Sequence, residues 1–262
     1  MKRVARELAP PLAGVAGLLV LWALVAALVS PDTVPSPAAV WSAFARAVSN
    51  GTIPEAAGKT LLRLVFSFGV SIVIGTAIGF GLALNEFARR AIRPLVVALQ
   101  ITPFIAWLPL AVVWFGLTER AVVFVAIVGA FPSVTLATIS SFGQVPPLLK
   151  RAGRTLGAEG WQLYRDVIFP AALPGYVSGL QQAWGFAWKA LTAGELITAG
   201  LHATGLGKAT GLGQLLQSSK DDVPMLIATV AVIVVIGVAV EYFVFVRVDR
   251  SIRRKRGLLV EG

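Results

Sequence analysis

Lys189 and Glu195 are charged residues inside the apolar run 176–198, and they share it with Gln181, Gln182, Trp184, Trp188 and Thr192. At helical spacing these positions fall on two adjacent stripes: Gln181, Trp184, Trp188, Leu191 and Glu195 on one, and Ser178, Gln182, Gly185, Lys189 and Thr192 on the other. A cation at membrane depth costs from about 3 to over 10 kcal/mol unless it faces water or a partner. This helix is therefore expected to line a polar path, with Lys189 attracting an anion. A Lys189–Glu195 pair within one helix is not expected, because a six-residue step turns the two side chains well apart. A carboxylate elsewhere, such as Glu241, is the alternative partner for Lys189.

Other chemistries are excluded by residue type. There is no cysteine and a single histidine, His202, so a disulfide framework, a thiolate metal site and a cysteine nucleophile are all absent, and no metal site is expected. Residues 205–210 resemble the end of a phosphate-binding loop, but His202 stands where the first glycine is needed and Ala209 where Ser or Thr should meet magnesium. No strand precedes the segment. The chain is not expected to bind ATP or any other cofactor, and the absence of a Ser-His pair, a metal cluster or paired intramembrane carboxylates argues against an enzyme.

The elements that must position these residues are membrane spans. Of 262 residues 56% are apolar and 14% charged, with a mean hydropathy of +0.80, more apolar surface than a soluble core absorbs. Six stretches are apolar over about 20 residues, the length that crosses the hydrocarbon with its own backbone satisfied: 11–29, 61–84, 95–115, 122–140, 176–198 and 224–246. The fold expected is all-α, a single transmembrane domain over 1–262.

The net charge of +10 would suggest nucleic-acid binding in a soluble protein; here the basic residues lie between spans, so no nucleic-acid partner is expected. Most of the 23 Lys and Arg precede the first span or follow the second, fourth and sixth. Cytoplasmic loops retain Lys and Arg, which puts both termini in the cytoplasm. A cleaved leader would also begin with basic residues, but the first run is longer than a usual leader core and lacks a clean small-x-small site.

Between 30 and 60 the chain is broken by prolines and then amphipathic at Val40, Trp41, Phe44 and Val48, which predicts a short helix along the outer surface. Ser67, Ser71, Gly75, Gly79 and Ala83 give the second span a face of small residues, suited either to packing within the chain or to a subunit contact. In the third span Pro103 and Pro109 each remove a backbone hydrogen bond and predict a kink. Irregular backbone at that depth survives where it is buried in protein or lines a cavity, which places Pro103 on the path.

The loop 142–175, expected in the cytoplasm, reads as a helix, a Gly157-Ala158 break and a second helix carrying Trp161, Leu163 and Tyr164, closing at Pro170 and Pro174. Exposed aromatics on a hairpin held between two spans mark a docking element. Gly157 followed thirteen residues later by Pro170, with Ala152 before them, resembles the EAA loop of bacterial ATP-binding-cassette (ABC) import permeases. Arg151 stands where that motif has its Glu, and Gly153 where it has its second Ala. Pro94, Leu95, Gln100, Pro103, Ala106, Trp107, Pro109, Leu110, Trp114, Phe115 and Gly116 resemble the third span of the nitrate, sulfonate and taurine permease group. Gly194 to Ile197 with Gly211, Leu212 and Gly213 resemble its fifth-span end and outer loop.

The resemblance implies a type I ABC importer permease with about six spans, forming a homodimer in the bacterial inner (plasma) membrane. It implies a cytoplasmic ABC ATPase dimer that carries ATP and Mg, and an extracytoplasmic substrate-binding protein. It assigns Ala152, Gly157, Ala158, Glu159, Trp161, Tyr164 and Pro170 to ATPase coupling, and it sets Trp107 beside Pro103 on the path. The solute implied is a small anion or zwitterion of the nitrate, aliphatic sulfonate or taurine type. A secondary transporter or channel would explain Lys189 and Glu195 but not the hairpin.

Overall fold

The computed structural model describes residues 2–30, 33–201 and 211–255, and every regular element among them is helical. In chain order these are α1 (Lys2–Leu28), α2 (Pro37–Ser49), α3 (Thr52–Leu84), α4 (Glu86–Ile101), a 3₁₀ turn (Phe104–Trp107), α5 (Leu108–Phe115) and α6 (Glu119–Gly143). Then come α7 (Pro147–Thr155), α8 (Gly160–Leu163), a π-helical turn (Tyr164–Ile168) and α9 (Phe169–Leu201). The last are α10 (Leu212–Ser218), α11 (Val223–Val240), a second π-helical turn (Glu241–Val246) and α12 (Arg247–Lys255).

Three helical runs are long and apolar enough to cross a membrane: α3, α6 and Val223–Ile252. A fourth arises if α4 and the run Phe104–Phe115 form one broken span, whose arms meet at 95°. The break falls at Thr102 and Pro103, where the sequence predicts a kink. In α1 the apolar part is the shorter Ala13–Leu28. At 33 residues α9 rises about 50 Å, enough to span, although its polar stripes dilute its apolar character.

Two boundaries differ from the apolar runs. α3 begins at Thr52, because Glu55 and Lys59 pair at 2.9 Å on its surface and Arg63 finds partners inside the fold, so charge does not end the helix. The second arm of the hairpin does not close at Pro170 and Pro174. Helical backbone passes from Leu163 through the π turn to Phe169, Pro170 sits in the first turn of α9, and Pro174 lies within it. Pro170 has no N–H to give to that ladder, and the π turn immediately before it is where the hydrogen-bond pattern is already rearranged.

At the centre is α6, packed between α3 and α9. The small face of α3 makes this possible: a Cβ at Gly79 would come within 2.6 Å of Thr138 Cβ, and one at Gly179 of α9 would collide with Ala137 Cβ. That face therefore packs inside the chain, on α6, and is not a free subunit contact. Ser67, Ser71 and Thr138 return their hydroxyls to the carbonyls four residues back, at 2.7–2.8 Å, satisfying polar groups between close helices. α2 forms as expected, Ser36 capping its N-terminus, but the face it buries is Val40, Ala43 and Ala47, while Trp41 and Val48 of the expected apolar face are exposed.

Candidate functional site

The two stripes of α9 face different surroundings. Trp184 and Trp188, expected on the path, belong to the core: Trp184 stacks edge-on against Phe68 at 5.4 Å and lies 5.9 Å from Phe245, while α11 approaches Trp188 at Gly237. Leu191 and Glu195 on the same stripe are fully buried. Burial follows from neighbouring α3 and α11, whose apolar faces need the indole surface.

The other stripe faces outward. Ser178, Gln182 and Lys189 are exposed, and with Gln181, Gly185, Phe186 and Glu241 they line an open groove of about 440 Å³. Gln181 donates its amide N–H to Glu241 Oε1. Lys189 forms no ion pair among the described residues. Thr192, one turn beyond, donates its hydroxyl to the Trp188 carbonyl at 2.8 Å. Beside the groove, the Pro103 break packs on α6 and α9: Phe104 and Leu108 share a cluster with Val125 and Ala190, the residue after Lys189. Trp107, in the 3₁₀ turn after the break, is half-buried, and its Nε1 has no hydrogen-bond partner among the described residues.

Glu195 is not on the groove; it is the hub of a buried network. Arg63 Nη1 reaches Glu195 Oε1 at 2.7 Å while Nη2 pairs with Glu119, so one guanidinium joins α3 to α9 and α6. Thr60 donates to Glu195 at 2.9 Å and accepts the Leu212 N–H at 2.8 Å; the Gly213 N–H reaches Glu195 Oε2 at 3.0 Å. Two orphan donors at the start of α10 are thereby satisfied. A Cβ at Gly213 would lie 2.7 Å from Glu195 Cβ, so the glycine lets α10 approach. The sequence marks Arg63 only as a charge at a span mouth, and nothing in local spacing links it to a carboxylate 132 positions away.

At the opposite end of α9 the hairpin is built on turns that need glycine. Gly157 has φ +87°, and the Ala158 N–H returns to the Gly153 carbonyl at 2.9 Å. Gly153 is buried against Leu163 and Val167, each 2.9 Å from where a Cβ would stand, so the larger pair opposite accounts for glycine in place of the motif's alanine. Phe80 of α3 meets Trp161 and Tyr164 at 6.3 and 6.0 Å. Ala152, Glu159 and Trp161 are exposed; Ala158, Tyr164 and Pro170 are half-buried. The arrangement is a knuckle with an exposed apolar rim, packed on Phe80 of α3 and continuous with α9.

The model of the binding-protein-dependent transport system inner membrane component matches residues 71–254, which contain the hairpin, the groove and Glu195. The chain belongs to that family. This inner membrane component is 28% identical over 247 residues to the taurine transport system permease protein of Escherichia coli (strain K12), covering 91% of this chain and 86% of that one. It is 27% identical over 200 residues to the nitrate import permease protein of Synechocystis sp., with 73% and 72% covered. A structure titled as an inward-facing conformation of the MetNI methionine ABC transporter superposes with a TM-score of 0.62 at 21% identity, over 76% of this chain and 95% of that one. The fold is that of a type I importer permease, and the subunit is a multi-pass inner-membrane permease rather than an enzyme.

Proposed function

We propose that this permease works as a homodimer above a cytoplasmic ABC ATPase dimer, receiving a small anion or zwitterion from an extracytoplasmic binding protein. ATP and Mg belong to the ATPase, both termini of the permease are cytoplasmic, and substrate passes along the exposed stripe of α9. The observation that carries this reading is the unbroken helical backbone from Gly160 through Tyr164–Ile168 into α9. The hairpin and the groove share one continuous helical run, so a displacement of the knuckle by closing ATPases tilts the path from inward-open to outward-open. The taurine and nitrate names of relatives support the solute class. Residues 202–210, which include the run 205–210 that resembles the end of a phosphate-binding loop, lie outside the described residues.

Lys189 supplies the groove with positive charge. Lys189→Met is expected to lower ATP-driven uptake of a small organic sulfonate about tenfold or more while leaving membrane level and ATPase assembly unchanged; a tenfold loss corresponds to about 1.4 kcal/mol. Lys189→Arg should keep part of the activity, because charge persists while shape changes. Parental uptake in Lys189→Met would remove the lysine from the mechanism. Loss of folded protein, restored by Glu241→Gln, would show a structural ion pair instead.

A further inference from the structure

The groove holds a carboxylate as well as a cation. Glu241 opens the π-helical turn Glu241–Val246 inside the last span, and that turn is anchored by buried Phe245, which packs against Phe68 at 6.4 Å and Trp184 at 5.9 Å. With its far end fixed in the core, the turn sets Glu241 in the groove, where Gln181 donates to it. π-helical turns inside α-helices recur at functional sites. Two opposite charges thus line one groove at membrane depth without an ion pair between them among the described residues. Each is costly there unless water or a ligand meets it.

Building on the importer reading above, we infer that Lys189 and Glu241 form a two-charge site for a short zwitterion, an amino acid of the aminoalkyl sulfonate or carboxylate type, rather than a path for simple anions. Lys189 meets the acid group, with the exposed Gln182 amide on the same stripe, and Glu241 meets the ammonium, held in place by Gln181. Lys189 and Glu241 line one short groove, and Gln181, which holds Glu241, lies eight residues from Lys189 on α9, so a compact solute can meet both charges at once. A simple anion fills only the lysine end and leaves Glu241 facing like charge. Discrimination therefore resides in Glu241, which a path selective for anions has no use for.

The test is direct binding to the purified permease–ATPase complex in nanodiscs, using radiolabelled taurine, with unlabelled ethanesulfonate and nitrate as competitors. Taurine is expected to bind at least tenfold more tightly than ethanesulfonate. Lys189→Met should weaken both sulfonates, whereas Glu241→Gln should weaken taurine alone and bring the ratio close to one. Equal affinities in the parent, an unchanged ratio in Glu241→Gln, or no taurine binding to a complex that still drives ATP-dependent uptake would each overturn the site and leave the importer reading intact. ATP-independent uptake by the permease alone would instead strike the importer reading. Gel filtration and thermal melting of each variant complex verify the fold, and Glu241→Asp, which keeps the charge, should retain part of the preference.

Discussion

Arg63→Met is expected to destabilise the folded permease by about 3–5 kcal/mol, the usual cost of leaving one member of a buried ion pair without the other. Glu195 is fully buried, Arg63 is 8% exposed, and Nη1 meets Oε1 at 2.7 Å. Removing the guanidinium strands the Glu195 carboxylate among α3, α9 and α10 and also releases Glu119 from α3. Thermal unfolding in detergent measures the loss directly, and ΔTm should be negative by several degrees. Adding Glu195→Gln to Arg63→Met should recover much of it, since the amide oxygen still accepts the Gly213 N–H and no charge is left buried. A single variant as stable as the parent, or a double variant worse than the single, would show that the network does not hold these helices together.

Gly157→Asp should uncouple ATP hydrolysis from transport while the protein folds and reaches the membrane. The positive φ of +87° costs a non-glycine residue about 1–2 kcal/mol, small beside global stability, and a Cβ there meets nothing within 4 Å. The damage is to the outer surface of the knuckle, where a carboxylate would project beside exposed Leu156. Substrate-stimulated ATP turnover should fall tenfold or more, with the ATPase bound weakly or lost. Trp161→Ala with Tyr164→Ala should act in the same direction, because Trp161 is 68% exposed and both rings rest on Phe80. Normal assembly and normal stimulated turnover in both would remove the hairpin from coupling.

The parts of this structure legible in the sequence were those fixed by local pattern. The short helix α2, the bend at Pro103 and the Gly157 turn each follow from residues within a few positions of one another. The outward face of Ser178, Gln182 and Lys189 was legible as a helical stripe, but which of two adjacent stripes meets the core was not. That choice depends on Phe68 and Phe245, far away in sequence, which draw Trp184 inward. The same holds for Arg63 and Glu195. Charge on each reads as exposure until the fold brings them together, and with Glu195 taken into the network, Lys189 is left as the charge of α9 that faces the groove. In sequence Glu241 stands only as a possible lysine partner, whereas the structure gives its carboxylate to Gln181.

The claim that a separate ATPase drives this permease through the hairpin is tested most directly by site-specific photocrosslinking. The chain contains no cysteine, so Leu156→Cys places one unique thiol at an 87% exposed position beside Gly157. Labelled there with a maleimide-benzophenone and reconstituted with its ATPase and binding protein, the permease should crosslink to the ATPase, and the yield should change between nucleotide-free and ATP-bound states. Absence of any crosslink to the ATPase in vesicles that still import substrate with ATP would contradict the coupling role of the hairpin.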